Sequence, residues 1–196
     1  MKIIGITGGV GAGKSAILSY IEKNYKARII LADQVANELK MPGGCCYNPL
    51  VSLLGGEVLL EDKTIDKAKM AQIIFHDAEK LAKVNALIHP AVRKYIMEQI
   101  ESERKKGEIS YLFIEAALLI EEHYDEIVDE LWYIYADTDT RRRRLRENRA
   151  YSDDRIDAIM AGQLTEDEFR KKCQFVIDNS KELAYAYKQI DRKMEE

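Results

Sequence analysis

The chain has 196 residues, 46% of them hydrophobic and 33% charged, with a formal net charge of −4. That mixture describes a globular chain able to bury one substantial core, and it excludes a disordered or fibrous protein. No apolar run approaches the ~18 residues of a membrane span, and the N-terminus lacks the basic-then-apolar layout of a secretory leader, so a cytoplasmic protein without a membrane partner is expected.

The acidic balance speaks against a surface that coats nucleic acid. Cys45, Cys46 and Cys173 make neither a disulfide framework nor zinc spacing, and they read as ordinary reduced thiols.

Ile3, Ile4 and Ile6 predict a short buried strand. Directly after it stands Gly8-Gly9-Val10-Gly11-Ala12-Gly13-Lys14-Ser15, which fits G-x-x-x-x-G-K-[ST]. In such a loop the glycines let the backbone turn its N–H groups inward as a nest for anionic oxygens. Lys14 reaches the β- and γ-phosphates of a nucleoside triphosphate, and the Ser15 hydroxyl holds Mg²⁺. A helix from Ser15 to Asn24 directs its positive end at the same phosphates.

Ala27 to Leu31 reads as the second strand, and its crossover from the first implies a parallel pair. Asp33 follows at the carboxyl end of that strand, where ligands of such sheets bind. It has two readings: a carboxylate that orients an acceptor hydroxyl and takes its proton, or a cap for a helix beginning near Gln34. Residues 41–61 carry the clustered punctuation Pro42-Gly43-Gly44, Asn48-Pro49 and Gly55-Gly56, and read as a loop-rich passage into a helical block.

From Asp66 to Lys106 helical spacing dominates, with Pro90 expected to divide the block into two helices. This block reads as an insertion that holds a second substrate. His89 either contacts that substrate or packs a helix junction.

Ser110 to Ile114 is the third and most apolar strand, expected to be central, and Glu115 at its end suits a carboxylate holding Mg²⁺. Leu131 to Ala136 and Phe175 to Asp178 complete five strands, with a last helix from Lys181. Between them lies a charged helical excursion, Thr138 to Cys173, in which Ser152 and Thr165 look like N-caps. Arg141 to Arg146 and Arg149 open it. They are either a solvated helix face or a lid of which one or two arginines close over a triphosphate.

The chain resembles one family along nearly its whole length, the dephospho-coenzyme A kinases. The resemblance is carried by Ile4 to Gly9 leading into the loop, Ala32-Asp33, Phe75, Leu81, Asn85 and Ile88-His89-Pro90. It continues in Leu118-Leu119 with Glu121, Arg144-Leu145, Gln163 and Val176-Ile177-Asp178-Asn179. It implies ATP- and Mg²⁺-dependent phosphorylation of the ribose 3′-hydroxyl of dephospho-coenzyme A, the last step of coenzyme A synthesis. By that likeness Asp33 is the catalytic aspartate, Gly11 to Ala16 (including Ala12) grip ATP, and Arg144 belongs to the lid.

The chain departs from the family pattern at Leu31, Glu115-Ala116-Ala117, Asn148, Ile159 and Cys173-Gln174, with Arg149 adjacent to a missing lid arginine. The expected architecture is a parallel five-stranded sheet of the P-loop NTPase type, flanked by helices and forming a single kinase domain. Its core is about 1–40, 107–137 and 174–196, with a helical insertion over about 41–106 and a helical lid over about 138–173. Two other readings stay open. One is a kinase of a nucleoside or nucleoside monophosphate. The other is a nucleotide-dependent switch, although the chain has neither a D-x-x-G turn nor an N-K-x-D guanine reader. No obligatory protein partner is expected.

Overall fold

The computed structural model describes residues 1–116, 119–120 and 122–195, so Ala117, Leu118, Glu121 and Glu196 lie outside the described residues. Contacts divide the chain into two compact units, Met1–Ile30 with Lys106–Glu196, and Leu31–Lys105.

The first unit is built on a parallel sheet of β1 (Lys2–Thr7), β2 (Ala27–Leu31), β3 (Tyr111–Glu115), β4 (Glu130–Tyr135) and β5 (Phe175–Asp178), in the order β2-β3-β1-β4-β5. The central strand is β1 rather than β3. A strand buried on both faces reads as a continuous apolar run wherever it lies inside the sheet, so apolarity could not rank the two. Ile4 pairs with Phe113 and Ile6 with Glu115 on one side of β1, and Ile6 with Trp132 on the other.

Laterally paired residues share a face of the sheet. One face therefore carries Ile4, Phe113, Trp132 and Phe175, with T-shaped ring contacts at 5.5 Å (Phe113–Trp132) and 5.1 Å (Trp132–Phe175). Against this face lies α9 (Leu183–Met194), which also packs on α1 (Lys14–Asn24). The helix pair is pinned where Tyr20 stacks on Tyr187 at 3.8 Å and where the Tyr20 and Tyr25 hydroxyls both donate to Asp191 Oδ1. On the opposite face Tyr133 stacks on Phe169 at 4.7 Å.

Three helices join β4 to β5, and their starts are set by the caps the sequence predicts. The Asp137 side chain accepts from Thr140 N to open α6 (Thr138–Arg149), and Ser152 caps α7 (Asp153–Ala161). Thr165 and Glu168 form a reciprocal capping box at α8 (Glu166–Lys172).

The second unit is helical: α2 (Ala32–Leu39), α3 (Tyr47–Leu54), α4 (Lys67–Phe75) and α5 (Ala78–Lys106). The loop-rich stretch 41–61 also holds α3, which buries Leu50 and Leu54 and tolerates Pro49 in its first turn. One expectation fails here: Pro90 does not divide the block, and α5 runs through it unbroken. Val84, Ile88, Val92, Ile96 and Ile100 bury one face at four-residue intervals across the proline. Pro90 and Ala86, whose carbonyl loses its helical partner, are both exposed, so water can take over that acceptor. The helix break falls instead at Asp77, whose carboxylate accepts from Lys80 N at 2.9 Å. Among the described residues no helix is long and apolar enough to cross a membrane.

Candidate active site

The chain leaves β1 toward β2 on one side and leaves β3 toward β4 on the other, so the carboxyl ends of β1 and β3 flank the crevice where parallel sheets bind ligands. The predicted phosphate loop occupies this place. Gly13 is the left-handed N-cap residue of α1 (φ +89°), and a Cβ there would lie 2.3 Å from Asn179 Nδ2. Gly8 also has positive φ, and its Cβ would meet the Ile134 carbonyl oxygen at 2.5 Å. Both positions therefore require glycine for backbone geometry and for space. The first turn of α1 holds no acidic residue, which leaves its positive end available to an anion.

Lys14 Nζ donates to the Gly8 carbonyl at 2.8 Å and lies 3.7 Å from Glu115 Oε1, with both side chains largely buried. The lysine is thus laid along the loop before any phosphate arrives. Glu115, the last residue of β3, supplies the neighbouring negative charge.

Helix α6 brings two arginines to the loop. Arg141 Nε donates to the Val10 carbonyl at 2.9 Å, and its Nη2 donates to Gln163 Oε1 at 2.5 Å. Gln163 Oε1 also accepts from Val10 N at 3.3 Å, so three groups close a ring around the loop tip. Arg144 Nη1 approaches the Ala12 carbonyl at 3.4 Å, and the fully buried Asn179 donates from Nδ2 to the same carbonyl at 2.7 Å. Burial lowers the Arg141 guanidinium from its ordinary value, and Arg144 is lowered first by burial and then by Arg143. Two partly desolvated cations beside a phosphate loop favour a polyanion.

Several predicted residues are therefore found together: Gly8, Gly9, Gly11, Ala12, Gly13, Lys14, Ser15 and Ala16 in the loop and its helix, with Glu115 and Arg144 against it. Arg149 is not among them. It is exposed at the last position of α6, about 12 Å of helix rise beyond Arg141. Arg141, Gln163 and Asn179 make the contacts instead. The signal for Arg141 was its i, i+3 spacing from Arg144, which puts both on one helix face. The other two stood only among the residues that carry the resemblance, which gave them no role.

In the second unit, Asp33 is the second residue of α2, whose N-cap is Leu31, so the capping reading of Asp33 does not hold. Its side chain is exposed. His89 is half-buried within α5, and the helix junction it was expected to pack does not exist.

The donor set suits Mg²⁺. Ser15 offers an exposed hydroxyl and Glu115 a carboxylate, both hard oxygen donors. Among the described residues no group of three His, Cys, Asp or Glu could hold a metal alone, so an ion here would take its other ligands from nucleotide and water.

Residues 2–185 match the sequence model of the dephospho-CoA kinases. A dephospho-CoA kinase of Carboxydothermus hydrogenoformans is 34% identical over 190 residues, covering 97% of this chain and 91% of the relative. One from Listeria monocytogenes is also 34% identical, covering 96% and 94%. In three dimensions a Thermus thermophilus crystal structure aligns with TM-score 0.81 at 25% identity, over 98% of this chain and 96% of the other. At 15% identity a shikimate kinase from Bacteroides thetaiotaomicron, with TM-score 0.58 over 99% and 96%, shares the fold alone. A phosphate loop with its lysine in place, a carboxylate beside it, two arginines of α6 against it and a family match running almost end to end agree on one conclusion: the chain belongs to the dephospho-CoA kinase family and is an ATP-dependent kinase of coenzyme A synthesis.

Proposed function

We propose that the chain transfers the γ-phosphoryl group of Mg²⁺-bound ATP to the ribose 3′-hydroxyl of dephospho-coenzyme A, giving coenzyme A and ADP. The observation that carries this reading is Lys14 lying along the phosphate loop, in a chain that matches the family over residues 2–185. The backbone of Gly8 to Ala16 binds the triphosphate. Lys14 exchanges its bond to the Gly8 carbonyl for the β- and γ-phosphates, and Arg144, with Arg141 beside it, stabilises charge on the transferring group. Ser15 and Glu115 would hold Mg²⁺, which when bound neutralises phosphate charge. Asp33 orients the acceptor hydroxyl and takes its proton; an exposed carboxylate two residues past the end of β2 suits that role. The helical unit, with His89, receives the acceptor. The enzyme works in the cytoplasm on small molecules, with no nucleic acid, membrane or obligatory protein partner.

The test is an acceptor panel. Purified enzyme is given MgATP with dephospho-coenzyme A, AMP, uridine or shikimate, and kcat/KM is measured for each. Dephospho-coenzyme A should exceed every other acceptor by at least about 10³, the discrimination expected when a site pairs polar groups that poor substrates leave unpaired. Preference for AMP, uridine or shikimate would transfer the chain to another small-molecule kinase activity.

A further inference from the structure

The carbonyl of Ala12, inside the phosphate loop, is approached by two donors. Asn179 Nδ2 donates to it at 2.7 Å, while Arg144 Nη1 lies 3.4 Å away, longer than a well-formed bond. Arg144 has a further task at the transferring group. Asn179 has no task assigned.

Asn179 is held by backbone bonds on every side. Its own N–H donates to the Tyr135 carbonyl at 2.8 Å, which carries the pairing of β5 with β4 one residue past the strand. Before it, Gln189 of α9 brackets Asp178, accepting from its N–H at 3.0 Å and donating to its carbonyl at 2.9 Å. After it, the Ser180 N–H donates to Asp178 Oδ1 at 2.9 Å, and Ser180 Oγ accepts from the Asp137 N–H at 2.9 Å. The buried carboxamide is therefore preorganised against the loop rather than free to seek it.

Its effect on the loop follows from the planar peptide. The Ala12–Gly13 bond is trans, so the Ala12 carbonyl and the Gly13 N–H point in opposite directions. Anchoring the carbonyl on Asn179 fixes the direction of that N–H, which has no hydrogen-bond partner among the described residues. Gly13 is the N-cap residue of α1, at the helix end that attracts an anion.

A second observation speaks against a packing role alone. Asn179 Oδ1 is buried and finds no donor among the described residues. An orphan acceptor costs stability, and native proteins rarely leave one. A side chain that only filled this space would gain nothing from a carboxamide; the donation from Nδ2 is what the carboxamide supplies.

We propose that Asn179 is a positioning residue of phosphoryl transfer: it keeps the Ala12 carbonyl satisfied, which aims the Gly13 N–H at the triphosphate and releases Arg144 from that carbonyl for the transferring group. This role rests on the triphosphate reading of the loop.

Asn179→Ala and the nearly isosteric Asn179→Asp both remove the donor. ATP affinity is measured by isothermal titration and KM for each substrate by steady-state kinetics, with circular dichroism reporting the fold. Both variants should raise Kd and KM for ATP by about fivefold or more, the loss expected for one hydrogen bond to a buried acceptor. KM for dephospho-coenzyme A should stay within about twofold of the parent. With Asn179→Ala, Ala12 keeps only Arg144, so adding Arg144→Met should lower kcat by a factor at least about threefold smaller than it does in the parent. Should the alanine variant lose its fold, Asn179→Asp carries the same measurements. A parent enzyme that does not bind ATP would overturn the loop reading and this role with it. Where the parent binds ATP, any of three results would overturn the role of Asn179 alone: ATP affinity within about twofold of the parent in both variants, equal rises in KM for both substrates, or full additivity with Arg144→Met.

Discussion

Arg141 tests the reading of the loop through its bonds to the loop tip. Arg141→Met keeps the aliphatic stem and removes two donations, to Val10 O at 2.9 Å and to Gln163 Oε1 at 2.5 Å. Hydrogen bonds to charged groups contribute about 1.5–3 kcal/mol each in net terms. Val10 is only half-buried and Gln163 keeps its bond from Val10 N, so water recovers part of the loss. Removal of the cation also relieves the desolvation that lowers its pKa. The balance is a destabilisation of about 2 kcal/mol, or about 4–8 °C in Tm for a chain of this size.

Arg141→Lys should recover less than half of that, because an ammonium cannot reach both acceptors with the guanidinium's fixed fork. In a double-mutant cycle, Arg141→Met and Gln163→Met should be coupled by about 1 kcal/mol or more. Differential scanning calorimetry measures both effects, and isothermal titration should show ATP affinity falling about tenfold or more with the lost cation. A methionine variant that melts within about 1 °C of the parent and binds ATP normally would refute the claim that Arg141 organises the loop.

Asp33→Asn should leave ATP affinity nearly unchanged while kcat falls by about 10² or more, the scale of general-base loss; unchanged turnover would remove Asp33 from the chemistry. Lys14→Ala should abolish tight triphosphate binding and transfer together, and undiminished ATP affinity by titration would contradict the loop assignment. Gly13→Ala places a Cβ 2.3 Å from Asn179 Nδ2 at φ +89°, so it should cost about 1–3 kcal/mol and displace the Ala12 contact, read as a lower Tm and weaker ATP binding.

Stability should also fall on the alkaline side. Burial pushes the Cys173 thiol up from 9.0 to about 12, so the folded state holds its proton where the unfolded chain releases it. That stabilisation is complete below pH 9 and is lost as pH rises toward 12. The Tyr20 hydroxyl, raised to about 12 chiefly by its bond to Asp191, acts in the same direction. Tm should therefore decline above pH 9, and less steeply in Cys173→Ala; equal slopes would assign the decline to other groups.

Much of the fold was legible because its signals are local. The glycines of the loop, the five apolar strands and the caps at Ser152 and Thr165 each act within a few residues, and each appears at or next to the predicted place. What failed depended on packing at a distance. Pro90 should end a helix by its own stereochemistry, but five buried aliphatic side chains, two before it and three after, hold α5 continuous. The rank of β1 over β3 is a matter of which strands pair, which apolarity does not encode.

The site divides in the same way. Lys14 and Ser15 follow from spacing alone, and Arg144 came from the family resemblance. Asn179 reaches the loop from 167 residues away and Gln163 from beyond α7, so their contacts could not be read from local spacing; both stood only among the residues that carry the resemblance. Arg149 drew attention by standing beside a missing arginine, whereas helix phase and rise favour Arg141.

The central claim is that phosphoryl transfer from the loop ends on a ribose hydroxyl of one particular acceptor. It is tested most directly by the identity of the product: enzyme, MgATP and dephospho-coenzyme A are incubated, and the new phosphate is located by phosphorus NMR through its coupling to the ribose proton. The account predicts a 3′-phosphomonoester formed in equal amount with ADP. Release of inorganic phosphate without a phosphorylated acceptor, or a phosphate at any other position, would contradict it.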